Sequence, residues 1–304
     1  MNPTELAPKI PTLEDRISTE MENILSSYPE TNSLPATFKE ELVELKKKFE
    51  SLRKGEHVQP EAFEIRYNRH TSKIQYTNKN GETIKTSMGQ IVSGMEWGNT
   101  FNLKYDEFNE KREGQKMYEI YALSFVKRET LSLLDKHITE REVTKHHEKQ
   151  DVQREEAYLG IQAKNNTDPR ELRRTGEIAE KMVQSLLMRL SIDNPNYGFE
   201  VVGINAYQDV NLKIDFIIKI KNTQQGVKTI TTKNIQFTIS NDPSKTAIKE
   251  RQIQKLQNVI LIQMPELDVN SFYSKWKNDK DTVSGPDRLI NTEIEKTILS
   301  KIVG

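Results

Sequence analysis

The chain has 304 residues with 45 Lys and Arg, 45 Asp and Glu, no cysteine and 35% hydrophobic residues. Its length exceeds one typical domain of roughly 100 to 200 residues, so we expect two units, and the lack of cysteine excludes disulfide scaffolds, thiolate zinc sites and cysteine nucleophiles. Because no apolar run approaches the ~18 residues of a membrane-spanning helix and the first ten residues lack the pattern of a secretory signal, we expect a cytoplasmic protein with no membrane partner.

The N-terminal third of the chain predicts two helices and a small sheet. Apolar residues at helical spacing indicate amphipathic helices over residues 12–27 and 36–54. Apolar and polar residues then alternate, as is typical of half-buried strands, in three short segments: 63–67, 74–76 and 83–87. Asn80-Gly81 favours a tight hairpin turn before the last of them, so the segments predict an antiparallel meander.

Residues 93–108 are rich in glycine and aromatic residues. Trp97 in this segment belongs either to the core or to a surface that meets a partner. An apolar-faced helix follows over 115–134 and continues into a charged stretch, 138–157, that predicts an exposed helical connector. We therefore expect residues 1–160 to form a helical module with a β-meander and a long charged connector, and this module is where a protein partner would bind.

A second unit is expected over residues 165–304, because Asp168 and Pro169 suit the cap and the first turn of a new helix. Asp242 opens a further helix in the same way. The elements expected in this unit follow the order α, β, β, β, α, β: 169–191, 199–204, 213–220, 229–240, 243–257 and 258–264, with a turn over 222–227. This order predicts an α/β domain; the mixed sheet is what the family resemblance described below implies.

The last forty residues add an aromatic segment and a closing helix. Phe272, Tyr273 and Trp276, with lysines between and after them, either dock onto their own domain or follow a nucleic-acid backbone. An i, i+4 apolar stripe over 287–302 predicts a final helix that packs on the domain.

Polar residues interrupt the apolar elements of the second unit where folding alone does not require them. Asp215 lies among aliphatic residues of the second strand, and a buried carboxylate is costly unless it is paired or bound to a metal. Gln236 lies in the next strand between two apolar residues, while Glu177 and Glu180 share one helix face. Carboxylate and amide oxygens from neighbouring strands and a helix form the ligand set that suits Mg²⁺.

These residues and their order resemble a known family. Gly176-x-x-x-Glu180 on the first helix, Asp215 in KIDFII and Gln236 in IQFT are similar to the motifs of the PD-(D/E)XK nuclease superfamily, particularly of Holliday-junction resolvases and Mrr-type restriction endonucleases. The resemblance covers about residues 169–265 and implies a three-layer restriction-endonuclease-like core. Residues 1–160 match no family that we recognise.

The resemblance also implies roles for individual residues. Asp215 and Gln236 would bind Mg²⁺ or Mn²⁺, and Glu180, with Glu177 as the alternative, would supply the carboxylate of the first helix. Asp209 is an additional acid near the same site. Such a domain would hydrolyse DNA, rather than RNA, in a defence, phage or repair context.

One position departs from the family pattern, because Thr238 stands where the family has a lysine. In the family that lysine orients the attacking water and stabilises the phosphate in the transition state, and a loss of this kind costs roughly 3 to 4 kcal/mol. Lys213 on the strand face of Asp215, or Lys245 or Lys249 on the following helix, are the candidates to replace it.

Three hypotheses follow from this sequence. The first is a Mg²⁺-dependent nuclease whose catalytic residues are Glu180, Asp215 and Gln236 with Lys213 or Lys245. The second is a catalytically degenerate nuclease-fold module that binds nucleic acid or a protein partner within a complex. The third is a scaffold that assembles through the charged helix.

Overall fold

The computed structural model describes most of the chain, namely residues 11–53, 63–68, 73–99, 101–103, 112–149, 175–202, 214–224, 227–240, 242–254, 256, 258–264, 267–279 and 282–302. Within these residues the protein is mixed α/β, and its strands form two four-stranded sheets. No helix in the described segments is both long and apolar enough to cross a membrane.

The first unit contains four helices and the first sheet. Its elements are α1 (Leu13–Ser26), α2 (Ala36–Arg53), β1 (Phe63–Asn68), β2 (Lys73–Thr77), β3 (Thr83–Thr86), α3 (Met88–Glu96), β4 (Phe101–Leu103) and α4 (Arg112–Lys149). A capping box fixes the start of α1, because Thr12 and Asp15 each accept a backbone N–H from the other. Both expected N-terminal helices and all three expected strands are confirmed.

The first sheet has the order β3-β2-β1-β4. Antiparallel pairs join β3 to β2 and β2 to β1, as the sequence predicts, and Gly81 adopts the positive φ of 82° that the hairpin turn requires. The sequence does not predict β4, which pairs with β1 in parallel. The meander is therefore the antiparallel part of a mixed sheet.

The sequence also fails to predict α3. Its residues from Met88 to Met95 are buried, with the exception of Gln90, so no polar stripe reveals a helical period. The signal that identifies this helix is its capping box, in which Ser87 and Gln90 accept each other's backbone N–H groups.

The long helix α4 confirms the expected helix, and its backbone stays helical through the first part of the charged connector to Lys149. α1 and α2 pack against α4 through a shared apolar core. The expected domain boundary at Asp168 and Pro169 lies outside the described residues.

The second unit has the expected order of elements. They are α5 (Thr175–Asp193), β5 (Phe199–Val202), β6 (Phe216–Gln224), β7 (Val227–Thr238), α6 (Pro243–Ile253), β8 (Val259–Gln263), α7 (Val269–Asn278) and α8 (Thr292–Ile302). Asp242 caps α6 by accepting the N–H of Ser244, as predicted. The expected turn over 222–227 is too wide, because β6 continues to Gln224 and β7 begins at Val227.

The second sheet is mixed and has the order β5-β6-β7-β8. β5 is antiparallel to β6 and β6 to β7, whereas β8 lies parallel to β7. One face packs on α5 and α8 through a single apolar core, in which Phe216, Ile235 and Phe237 are buried beside Met182 and Ile298.

The other face of this sheet carries α6. Gln263 of β8 donates from its side chain to Glu250 of α6 at 3.5 Å, which places the helix on the face opposite the core. The second unit therefore has helices on both faces of its sheet, and the polar positions of β7 lie on the α6 side.

The two units are joined closely by α3, which packs against α5. Trp97, the residue after α3, has no exposed surface and donates its indole N–H to Ser185 of α5 at 2.9 Å. Asp193 at the end of α5 accepts the hydroxyl of Ser87 at 2.7 Å and the N–H of Gly89 at 2.8 Å. Trp97 thus belongs to the core, and the alternative of an exposed partner surface is wrong.

A set of polar and charged groups, buried or half-buried, completes this contact, and we name Ser93, Arg189, Asp287 and Glu295 the junction cluster. Asp287 has no exposed surface, and its carboxylate accepts hydrogen bonds from the Ser93 hydroxyl and, at 3.1 Å, from Arg189 Nε. Arg189 also lies 3.5 Å from Glu295. Complete burial raises the pKa of Asp287, although Ser93 and Arg189 oppose that rise.

Candidate functional site

Asp215 lies immediately before β6, and not inside the strand as the sequence predicts. Its backbone N–H donates to the carbonyl of Ile235 at 2.7 Å, and its carboxylate accepts the backbone N–H of Phe237 at 2.6 Å. The carboxylate thus takes the place of a backbone carbonyl in the ladder, which is why the strand begins only at Phe216.

Asp215 and Gln236 are directed to the same face of the sheet. Phe216 and Ile235 are paired in register and buried in the core shared with α5. Because successive side chains of a strand alternate between faces, the neighbours Asp215 and Gln236 both lie on the opposite side. The burial of residues 214 to 220 alternates in the same way, which supports this assignment.

Gln236 is buried, and its side-chain oxygen is not satisfied within the described part of the chain. Only 5% of the residue is exposed, and its Oε1 has no hydrogen-bond partner among the described residues. An unpaired buried acceptor costs about 1 to 3 kcal/mol, so such a group in a native fold indicates a site that is completed by something else.

A lysine ammonium approaches the same end of the sheet from α6. Lys249 Nζ donates to the carbonyl of Phe237 at 2.9 Å, while the N–H of Phe237 donates to Asp215. The Lys249 ammonium and the Asp215 carboxylate therefore bind the backbone C=O and N–H of Phe237, the residue that follows Gln236. We name Asp215, Gln236 and Lys249 the sheet-end cluster.

Thr238, at the position of the family lysine, has a structural role in this protein. Its Oγ1 accepts the N–H of Ser240 at 3.2 Å, Ser240 Oγ accepts the N–H of Asp242 at 3.2 Å, and Asp242 accepts the N–H of Ser244 at 2.9 Å. These bonds hold the turn that leads from β7 into α6. The hydroxyl thus orients the helix that brings Lys249 back to the sheet.

The remaining sequence candidates are only partly described. Glu180 lies on the half-buried side of α5, and the backbone positions of Glu177 and Lys245 are known without their side chains. Asp209 and Lys213 lie outside the described residues. Within the described segments, no three His, Asp or Glu side chains are grouped so that they could hold a metal ion.

Lys249 was one of two α6 candidates, and its role depends on the position of the helix. Lys245 and Lys249 are four residues apart and so share a face of α6. The sequence cannot select between them, because the angle of α6 to the sheet is set by packing. The structure shows that Lys249 contacts β7, whereas the side chain of Lys245 lies outside what the structure describes.

The aromatic segment in α7 packs on its own domain. Tyr273 and Trp276 are buried, and the Trp276 indole N–H donates to the carbonyl of Ser284 at 2.7 Å. The rings of Trp276 and Trp97 meet edge to face with centroids 5.4 Å apart. These two aromatic side chains therefore cannot act as stacking platforms for nucleic acid.

Comparisons with protein-family models, with curated proteins and with solved structures find no match to this chain.

Proposed function

We propose that the second unit is a nuclease-like domain of the PD-(D/E)XK type that hydrolyses DNA phosphodiester bonds with Mg²⁺. One observation carries this proposal: Asp215 and Lys249 bind the backbone of the same residue, Phe237, and the preceding residue, Gln236, has a buried amide oxygen without a partner among the described residues. A carboxylate, an amide oxygen and an ammonium thus belong to the same end of the sheet. The order of elements and the mixed sheet support the same family resemblance.

In this proposal Lys249 takes the role of the lysine that the family has at the position of Thr238. An ammonium has three N–H donors, and within the described segments Lys249 donates to one protein acceptor, the carbonyl of Phe237. The other donors would orient the attacking water and stabilise the charge that develops on the phosphate. Phe237 holds the ammonium and the Asp215 carboxylate at a fixed separation.

The residues present fit a divalent cation. Mg²⁺ prefers oxygen ligands, and the buried Gln236 Oε1, which lacks a partner among the described residues, is an acceptor that the cation or one of its waters would satisfy. Asp215 and Gln236 would hold the ion, with Glu180 as the helix carboxylate that the family resemblance implies. When bound, the ion supplies Lewis-acid polarisation of the phosphate and a more acidic water.

Cleavage of labelled duplex and branched DNA by the full chain tests this function. We expect Mg²⁺-dependent cleavage that Asp215→Asn abolishes and that Lys249→Gln slows by ~10²- to 10³-fold. Lys296→Gln, at an exposed lysine of α8, is the matched control and should cut at the wild-type rate. Melting curves establish that each variant is folded. Cleavage by folded Asp215→Asn at the wild-type rate would overturn the proposal.

A second candidate function is a catalytically inactive module of the same fold that binds nucleic acid or a protein partner. It is favoured by Thr238 at the lysine position and by the lack of a three-residue acidic or histidine group within the described segments. Equal DNA association with Mg²⁺ and with EDTA, together with no cleavage of single-stranded, duplex or branched DNA, would select this function.

A further inference from the structure

β6 and β7 extend beyond the rest of the second sheet as a two-stranded ribbon. β5 pairs only with β6 residues 217–220, and β8 pairs only with β7 residues 234–238. Lys221 still donates its backbone N–H to the carbonyl of Gly198 at 2.7 Å, and the pairs from Asn222↔Thr229 to Gln224↔Val227 have no further strand beside them among the described residues. Residues 229–232 are exposed on both faces, and Ile230 is 63% exposed. This end of the hairpin therefore projects into solvent.

The charge of this hairpin is of one sign. Residues 216–241 contain four lysines and no Asp or Glu, in a chain whose net charge is zero. Lys219 and Lys221 are both exposed on β6, and they are two residues apart, so they share a face of the strand. Lys228 occupies the β7 register position opposite Thr223.

That face is the one that carries the sheet-end cluster. Side chains two residues apart share a face of a strand, so Lys221, Lys219, Ile217 and Asp215 lie on one face. The alternating burial of residues 214 to 220 agrees with this assignment. At ~3.4 Å per residue, Lys219 lies about 14 Å and Lys221 about 20 Å from Asp215 along the strand. An exposed basic track thus leads away from the candidate catalytic residues on one face.

Among the described residues, one acid lies beside this track, and lysines surround it. Glu200 of β5 is 3.6 Å from Lys221 Nζ and 3.3 Å from Lys127 Nζ, and it pairs in register with Lys219. Burial of Glu200 opposes its ionisation, but the neighbouring lysines lower its pKa. The local set of three lysines and one glutamate keeps a positive charge.

We propose that the β6–β7 hairpin, whose outer part is the exposed ribbon, binds the phosphate backbone of duplex DNA through Lys221 at the base of the ribbon and Lys219 beside β5, and guides the duplex to the sheet-end cluster. This inference rests on the proposed function, because it supplies the substrate-binding surface of that site. Charge complementarity selects the partner, since duplex DNA carries one phosphate per ~3.4 Å along each strand. A ribbon of two strands ~4.8 Å apart is narrow enough to enter a major groove ~12 Å wide.

The test measures binding of the full chain to a fluorescent DNA duplex in EDTA, so that hydrolysis does not consume the probe. We expect the double variant Lys219→Gln/Lys221→Gln to bind at least about tenfold more weakly at moderate salt, and its slope of log K against log [salt] to fall by about 2. Lys39→Gln/Lys46→Gln, with the same charge change on exposed residues of α2, should bind as the wild type does. Glu200→Gln should bind more tightly, because it removes an acid that pairs with Lys221 beside the track.

Several results would overturn the inference: no duplex binding by the wild type, an unchanged salt slope in the ribbon variant, or an equal loss in the α2 control. The outcome is separable from that of the proposed function. Ribbon-dependent binding without cleavage in Mg²⁺ would support the ribbon and refute the nuclease. If the ribbon variant binds and cleaves DNA as the wild type does, the nuclease would be supported and the ribbon refuted.

Discussion

The junction cluster and the sheet-end cluster both place a carboxylate among apolar residues, but they differ in how their polar groups are satisfied. At the junction, Asp287 is fully buried and both of its carboxylate oxygens accept hydrogen bonds from side chains of the other elements. At the sheet end, Asp215 is half-buried, and the amide oxygen of Gln236 has no partner within the described segments.

This difference separates a structural role from a functional one. Buried polar groups that are fully paired contribute to a specific fold, and removal of one of them leaves its partners uncompensated. A buried acceptor without a partner costs stability and is retained for another reason. We therefore assign the junction cluster to stability and the sheet-end cluster to function. The four predictions below test that assignment, from the largest expected effect to the smallest.

Removal of the junction carboxylate should have the largest effect. We expect Asp287→Ala to lower the free energy of unfolding by about 3 to 5 kcal/mol, because it leaves Arg189 and Ser93 without their buried acceptor. Asp215→Ala removes the acceptor of the Phe237 N–H at a half-buried position and should cost only about 1 to 2 kcal/mol. Urea unfolding of both variants measures the difference. Equal losses would contradict the division of roles.

The close packing of α3 gives the second prediction. A Cβ on Gly94 would lie 1.6 Å from the carbonyl oxygen of Val283, which is a backbone atom that cannot move away alone. We expect Gly94→Ala to separate the units locally and to cost about 3 kcal/mol.

Gly176 on α5 is the matched control for this substitution, since a Cβ there meets nothing within 4 Å. Gly176→Ala should stabilise the protein by up to about 1 kcal/mol, because alanine is the better helix former. Thermal melting compares the two variants. A tolerated Gly94→Ala would show that the junction is looser than its geometry indicates.

The third prediction concerns Gln236, whose substitution should preserve or raise stability but impair the function of the site. We expect Gln236→Met to leave the free energy of unfolding unchanged or to raise it by about 1 kcal/mol, because the substitution removes an unpaired buried acceptor. The same variant should lose the rise in melting temperature that Mg²⁺ gives the wild type, if the amide oxygen binds the ion or its water. A clear loss of stability would mean that Gln236 is a structural group.

Whether a feature can be predicted from the sequence depends on how far apart in the chain the residues that determine it lie. Each element of the order α, β, β, β, α, β is determined by neighbouring residues, because hydrophobic periodicity and capping residues such as Asp242 mark it. The structure has the same order. The polar positions Asp215 and Gln236 are also visible as breaks in apolar strands. α3 was missed because it is buried nearly all round, so only its capping box, Ser87 with Gln90, carries a signal.

Contacts between distant parts of the chain could not be predicted. The hydrogen bond from Ser93 to Asp287 joins residues 194 positions apart, and no local pattern pairs them. Lys249 contacts β7 because packing and the turn held by Thr238 place α6 against the sheet, and no local pattern shows that placement.

The smallest expected effect is the pH dependence that distinguishes the junction carboxylate. Burial raises the pKa of Asp287 above its ordinary value of 3.8. As the pH rises from that value towards the raised pKa, the unfolded chain loses this proton before the folded chain does, so the contribution of Asp287 to stability falls across that window and is constant above it. We expect the difference in unfolding free energy between the wild type and Asp287→Asn to decrease with pH over the same window, as measured by urea unfolding in steps upward from pH ~4. A difference that grows with pH would mean that the pairing with Arg189 outweighs the burial of the carboxylate, and the junction would then be an ion pair that stabilises the charged form.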